Sequence, residues 1–220
     1  MDDRLLQALQ AHGRAPGSVA LVAASKSQPV ERIRELAALG QRRFGENYLQ
    51  EARPKMDACA DLGLEWHFIG ALQSNKAADV AAHFDWVHTV ASRPVAQRLS
   101  QARGSERPPL NVCLQVNIDG EASKSGVSID GAAELAWAVA DLPGLRLRGL
   151  MTIPAPAADF AAQRRPFRAL HALLDRLCAQ GLALDTLSMG MSGDLEAAVA
   201  EGATLVRVGT ALFGPRPARP

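Results

Sequence analysis

Short apolar runs of strand length alternate with stretches of helical periodicity along almost the whole chain. Leu5, Leu6 and Leu9 open it with helical spacing over about residues 3–12, and a glycine-bounded turn, 13–17, follows. Residues 19–25 form the first apolar run, which ends on Lys26. Pro29 and a helical stretch, 31–40, closed by Gly40, come next. The pattern then repeats. Further strands are predicted over 42–47, 64–70, 86–90, 110–118, 145–153, 184–189 and 204–208. Helices are predicted over 48–60, from a capping Ser74 to 83, over 92–103 and 130–141, from beyond Pro156 to 180, and over 195–201. Pro54 must lie near the start of its helix or kink it.

Eight β segments separated by helices imply a parallel sheet with right-handed crossovers. Eight such units in 220 residues predict an α/β fold of the (β/α)8 TIM-barrel type. One domain spans 1–220, with the proline-rich end, 215–220, expected to fray. An open doubly wound sheet is the competing layout. No Gly-x-Gly-x-x-Gly follows the first strand, which counts against it.

Composition narrows the function classes. Hydrophobic residues make up 48% and charged residues 21%, enough for a large core. The net charge of +1 gives no electrostatic reason to expect nucleic acid or an anionic membrane. No apolar run approaches the ~20 residues a membrane span needs. The first residues, Met1-Asp2-Asp3-Arg4, lack the apolar core of a signal peptide. Cys59, Cys113 and Cys178 are sparse, odd in number and far apart, as free thiols in a reducing compartment would be. A cytoplasmic protein is expected. The histidines have no metal-ligand spacing, so no metal is expected.

Barrel enzymes place their chemistry at the C-terminal ends of the strands. Lys26 stands at the first of these ends. It is either a solvated loop lysine or an amine whose pKa burial lowers, a nucleophile toward aldehydes. Turns containing Gly190-Met191-Ser192-Gly193 and Gly209-Thr210 follow the last two strands, where barrels often bind phosphate. Ser192 is placed to cap the next helix or offer its hydroxyl, and Gly209 and Thr210 to offer amides. Arg207 alternates with Val206 and Val208, and the last strand neighbours the first after closure. Pointing inward, Arg207 would stand near Lys26; pointing outward, it would pair with a helix carboxylate. Against a pyridine nitrogen a fixed guanidinium disfavours protonation, leaving the ring a poor electron sink. Lysine, phosphate cradle and arginine together suggest pyridoxal 5'-phosphate (PLP). Lys76 and Lys124, in polar loops, are either solvated or anion sites. His67 and His88 are strand-end site residues or structural ones, and His83 is expected at the surface. Trp66, Trp86 and Trp137 are read as packing residues.

Several stretches carry a resemblance to a known family. They include Ala23-Ala24-Ser25-Lys26, Phe44-Gly45-Glu46-Asn47-Tyr48, Trp66-His67-Phe68-Ile69-Gly70, Ser123-Lys124-Ser125-Gly126, Arg148-Gly149-Leu150-Met151, Gly190-Met191-Ser192-Gly193-Asp194 and Val206-Arg207-Val208-Gly209-Thr210. With them the chain resembles, over nearly its whole length, the pyridoxal phosphate homeostasis proteins, single-domain relatives of the alanine racemase barrel. The resemblance implies that Lys26 holds the cofactor as a Schiff base, that Arg207 faces the ring nitrogen, and that Ser192, Gly209 and Thr210 hold the phosphate. It places Asn47 and Met151 near the ring. Ser27-Gln28-Pro29 stands where the family usually has a threonine and often a lysine before the proline, and Ala71 replaces a usual proline.

Three functions use this equipment. The first is a PLP carrier that buffers, stores or delivers the cofactor to apo-forms of PLP-dependent enzymes, with no catalytic residue of its own. The second is a PLP-dependent racemase or decarboxylase. The third is a barrel aldolase whose Lys26 reacts with the substrate directly. Alanine racemase-like enzymes take a second acid/base, a tyrosine, from an added β domain. Here the only tyrosine is Tyr48, in the second β/α unit, and the chain ends soon after the eighth strand. The carrier is therefore the expected function, working as a monomer.

Overall fold

The structure, a computed structural model, describes residues 1–104, 106–121 and 124–214. The tail expected to fray, 215–220, lies outside the described residues. Helix α1 (Asp2–Ala11) precedes the barrel. The strands are β1 (Ala20–Ala24), β2 (Arg43–Glu46), β3 (Glu65–Phe68), β4 (Trp86–Val90), β5 (Leu110–Gln115), β6 (Leu145–Met151), β7 (Thr186–Ser188) and β8 (Leu205–Val208). They pair in parallel in sequence order, and β8 closes on β1. The helices that return the chain over the outside are α2 (Val30–Ala38), α3 (Leu49–Ala58), α4 (Ala77–His83), α5 (Arg93–Arg103), α6 (Ala132–Ala140), α7 (Phe160–Ala179) and α8 (Leu195–Ala200). A closed sheet leaves no strand edge unpaired, so each strand is buried on both sides and reads as an almost continuous apolar run.

Most of the core lies between sheet and helices. In α7, Phe167, Leu170, Leu173, Leu174 and Leu177 recur at helical spacing and bury one face. Asp159 caps that helix by accepting from the Ala162 amide at 2.8 Å. A smaller apolar cluster fills the lumen: Val22, Trp86, Cys113, Met151 and Leu205. The two populations alternate along each strand except where a bulge intervenes. On β6 the register against β5 jumps from Val112↔Leu147 to Cys113↔Gly149, leaving Arg148 as the extra residue. That jump reverses the alternation, so Leu147 and Leu150 both pack outward while Met151 turns into the lumen. Only glycine fits position 149, where φ is +159° and a Cβ would lie 1.9 Å from the Thr186 carbonyl oxygen.

Several expected features shift. All strands but β4 and β8 are shorter than predicted at their C-terminal ends; β5 stops at Gln115, and Val116 makes only an isolated bridge to Val127. Ser74 does not cap α4. It begins a single 3-10 turn, Ser74–Lys76, and α4 starts after Lys76 with no side-chain cap. Pro54 sits in the interior of α3. Both Pro54 and Gln50, whose carbonyl it leaves without its helical partner, are exposed, so water can satisfy that oxygen. A four-residue helix, α9 (Thr210–Phe213), follows β8 where a simple turn was expected.

Candidate functional site

The C-terminal ends of the strands surround a cavity of about 230 Å³. Lys26, Asn47, Ser192, Arg207, Gly209 and Thr210 all line it. The structure thus brings together six of the seven predicted site residues. Met151 is the exception. It is fully buried and pairs in register with Ser188, which pairs with Leu205, whereas Arg207 lies two residues further along β8. Met151 therefore packs one layer deeper in the lumen and is absent from the cavity wall.

Lys26 lies two residues beyond β1 and is half-buried. The residue before it is held firmly. The Ser25 amide donates to the Gly45 carbonyl at 2.9 Å, continuing the β1–β2 ladder. Its hydroxyl donates to Glu46 Oε1 at 2.6 Å, and its carbonyl accepts from Lys55 Nζ at 2.9 Å. Lys55 also donates to Glu46 Oε1 at 2.8 Å, forming an ion pair shut inside the fold. Burial pushes the Glu46 carboxyl above its usual value, against the pull of Lys55. The residue after Lys26 is strained: Ser27 has φ +60°, a left-handed conformation rare for a side chain. Its amide donates to Glu51 Oε2 at 3.2 Å, and the Gln28 amide closes the turn onto the Ser25 carbonyl at 3.0 Å. Glu46 and Lys55 were not singled out from the sequence. Their signal was a Lys nine residues after a strand-terminal Glu, which becomes a pair only once α3 folds back on β2.

Arg207 lines the same cavity as Lys26: β8 neighbours β1, Arg207 pairs in register with the lumen residue Val22, and Lys26 lies four residues further along the chain. It is almost wholly buried. Nη1 donates to Ser188 Oγ at 2.7 Å and Nη2 to the Thr152 carbonyl at 2.9 Å. Burial lowers its pKa to about 10, which leaves it charged at neutral pH. Below it, His88 Nδ1 meets Ser188 Oγ at 2.7 Å, His88 Nε2 meets His67 Nδ1 at 2.8 Å, and His67 Nε2 meets Glu65 Oε1 at 2.8 Å. Burial lowers the pKa of both histidines, His88 the further. Of the two readings open for these histidines, the structure shows buried, hydrogen-bonded residues beneath the cavity.

The turns after β7 and β8 close one side. Ser192 is not the cap of α8, whose first position is preceded by Asp194. Asp194 instead accepts from the Met191 amide at 2.6 Å, which tightens the turn. The Ser192 hydroxyl accepts from the Ala211 amide at 3.3 Å and so ties that turn to the first turn of α9. Gly190 has φ +94°, and a Cβ there would strike Ala198 Cβ at 2.5 Å; the turn and α8 can approach this closely only through glycine. Asn47, from the β2–α3 connection, carries a buried Oδ1 without a hydrogen-bond partner among the described residues.

Other candidates stand apart. Lys124 lines a neighbouring cavity of about 440 Å³ and is paired with Asp119 and, at 3.4 Å, Glu121. Lys76 and His83 are exposed, the latter bonded to the Asp79 carbonyl at 2.7 Å. Trp66 and Trp86 pack inside, while Trp137 is 43% exposed, contrary to expectation. Cys59, Cys113 and Cys178 are free thiols, and burial pushes Cys113 up to about 12. No helix among the described residues is long and apolar enough to cross a membrane.

A lysine and a buried arginine in the wall of one cavity at the C-terminal end of a single β/α barrel, beside two glycine-containing turns, define the class: a barrel with an amine just beyond its first strand and tight turns after its last two. Comparison with known proteins agrees. The model of the alanine racemase N-terminal domain matches residues 6–217. A pyridoxal phosphate homeostasis protein of Pseudomonas aeruginosa is 58% identical, with 97% of this chain and 91% of that one covered. One from Escherichia coli K12 is 49% identical, with 97% and 93% covered. The structure of PipY from Synechococcus elongatus with PLP bound superimposes with a TM-score of 0.85 at 39% identity, covering 97% of this chain and all of that one. The chain belongs to the pyridoxal phosphate homeostasis protein family, within the wider class of alanine racemase N-terminal barrels.

Proposed function

We propose that this protein binds PLP reversibly through Lys26 and serves its homeostasis by buffering, storing or delivering it, without catalysing amino-acid chemistry. The observation that carries the reading is the presence of Lys26 and Arg207 in the wall of one cavity that the Ser192 and Gly209-Thr210 turns also line. The donor set fits the group. PLP presents an aldehyde, a pyridine nitrogen, a ring hydroxyl and a phosphate. The Lys26 amine suits the aldehyde, with which it would form a Schiff base by loss of water. The Arg207 guanidinium suits an unprotonated ring nitrogen, since it can only donate. The orphaned Asn47 Oδ1 is an acceptor awaiting a hydroxyl. Ser192, Gly209 and Thr210 supply backbone amides and hydroxyls toward a phosphate.

The same wall argues against catalysis. Among the described residues that line the cavity, Lys26 and Arg207 are the only ionisable ones. A two-base racemase needs a second proton carrier on the opposite ring face. Tyr48 is exposed and does not line the cavity. A charged Arg207 at the ring nitrogen also withholds the electron sink on which such chemistry depends. The reading includes apo-forms of PLP-dependent enzymes as recipients, action as a monomer, and a cytoplasmic location.

Spectra of the purified protein loaded with PLP test it. A visible absorption band is expected, and Lys26→Ala should abolish it and weaken binding at least ~100-fold, about 2.8 kcal/mol. Transfer of PLP to an apo-enzyme is expected; sustained racemisation or decarboxylation of any amino acid in a panel would overturn the carrier reading.

A further inference from the structure

The hydrogen bonds beneath Arg207 run the length of the lumen. Arg207 Nη1, Ser188 Oγ, His88, His67 and Glu65 Oε1 are joined by four contacts of 2.7 to 2.8 Å. Arg207 approaches the C-terminal end of β8, and Glu65 is the first residue of β3, at the opposite end of the barrel. Chemistry at the two termini sets the direction of the chain. A guanidinium can only donate and a carboxylate can only accept. Ser188 takes the arginine proton on a lone pair, so its own hydroxyl proton is available to His88 Nδ1. His88 then carries its proton on Nε2 and donates to His67 Nδ1. His67 carries its proton on Nε2 and donates to Glu65. Every contact is satisfied with both histidines neutral.

The reversed arrangement fails on one contact. With the proton of His88 on Nδ1, its Nε2 must accept from His67 Nδ1–H, and the His67 Nε2 lone pair would face a carboxylate oxygen at 2.8 Å. Either a protonated Glu65 or a doubly protonated His67 would repair that, and the hydrogen bond with His67 holds the Glu65 carboxyl below its usual value, which leaves His67. The surroundings oppose it: His67 is fully buried, stacked on Trp86 and joined to a second imidazole. Glu65 and Asp85 near it favour the charge, Arg43 disfavours it, and burial outweighs them. His88 faces His67 and Arg207, which both disfavour a proton, and Arg207 in turn faces Asp194 and Cys113.

We propose that Ser188, His88 and His67 are positioning residues for Arg207, tying its guanidinium to the Glu65 carboxylate through a chain of hydrogen bonds that all point one way. The chain fixes which arginine hydrogens are spent on the protein and which remain for the cavity. Nη1 is held by Ser188 and Nη2 by the Thr152 carbonyl, so the group cannot rotate away from the ring. The proposal rests on the reading that Arg207 faces the nitrogen of a bound pyridine ring, but the chain itself exists without it.

Two measurements test the parts separately. Long-range 1H–15N correlation of the histidine rings in the cofactor-free protein, from pH 5.5 to 8, with His67→Gln and His88→Gln for assignment, reads the tautomers. Both rings are expected to show a protonated Nε2 and a bare Nδ1 throughout. A proton on Nδ1 of either ring in the wild type would overturn the chain. Ser188→Ala, checked for cooperative unfolding, is then loaded with PLP. Loss of the bond to a charged donor is expected to raise the dissociation constant about tenfold and displace the visible absorption maximum. An unmoved band with affinity within about twofold of the wild type would overturn the positioning role. If the wild type fails to bind PLP while its tautomers are as stated, the functional reading falls and the chain stands.

Discussion

The two cations that line the cavity, Lys26 and Arg207, are supported in opposite ways. On the Lys26 side the support is ionic: Glu46 and Lys55 form a buried pair that anchors Ser25, and the lysine itself is half-buried on a strained turn. On the Arg207 side the support is neutral: a serine and two uncharged histidines carry the guanidinium down the lumen, and the arginine is fixed at two nitrogens. The difference suits the roles proposed for the two groups. An amine that is to attack an aldehyde has to shed a proton, and here the backbone on both sides of it is held, through Ser25, Ser27 and Gln28. A guanidinium that is to set the protonation of a ring nitrogen has to stay still and stay charged. A compensated ion pair next to Lys26 adds little net field to its amine, whereas a second charge beside Arg207 would compete with it.

The ionic side breaks most dramatically. Lys55→Met leaves the Glu46 carboxylate buried with only Ser25 for a partner, and removing one member of a buried pair costs about 3–5 kcal/mol. The loss should be read in denaturant unfolding at pH 7. Glu46 already has its carboxyl pushed above 4.5 by burial, and without Lys55 it rises further. A group protonated in the fold and ionised when unfolded loses stability as pH rises through that window. The variant should therefore recover part of its loss toward pH 5. Lys55→Met combined with Glu46→Leu should regain most of it, since an apolar pair of similar bulk needs no compensation. Equal losses in the single and double variants would show that the pair is not what holds Ser25.

A smaller effect is expected at Asn47, in the cavity wall after β2. Gly70, just after β3, lies so close to the β2–α3 connection that a Cβ would sit 2.1 Å from the Asn47 carbonyl oxygen. Gly70→Ala must push that backbone aside, at a cost of about 1–3 kcal/mol. Because Asn47 lines the cavity, PLP affinity should fall with stability, whereas an effect on stability alone would remove Asn47 from the site.

These contacts mark the boundary of what the sequence makes legible. The eight-fold alternation, the strand-end position of Lys26 and the last two turns follow from local pattern, so barrel and cavity could be foreseen. Met151 could not be placed, because the bulge at Arg148 reverses the parity of β6 and nothing in the composition of that strand announces it. Ser192 looked like a helix cap because caps are recognised by residue type; its hydroxyl is instead drawn to the Ala211 amide of a helix that the pattern did not predict. Glu46–Lys55 depends on α3 folding back on β2, and His67–His88–Ser188 on barrel closure, which brings β3 and β4 across to β7.

The smallest effect is a slope, and it isolates the neutral side. Both lumen histidines have pKa values lowered from 6.5 by burial, so the fold keeps them uncharged where the unfolded chain begins to bind protons. The unfolded state then holds more protons, and stability must fall as pH drops below about 6.5. Each such group contributes at most about 1.4 kcal/mol per pH unit. Glu46, whose carboxyl burial shifts upward, contributes with the opposite sign and offsets part of the slope. Comparing wild type with His88→Gln between pH 7 and 5.5 cancels that term. The variant should be less stable at pH 7, because Ser188 and His67 lose a partner, yet its stability should decline more gently on acidification. Parallel slopes would mean that His88 binds protons equally in both states. The lumen beneath Arg207 would then be as wet as the mouth beside Lys26, and the contrast between the two sides would fail.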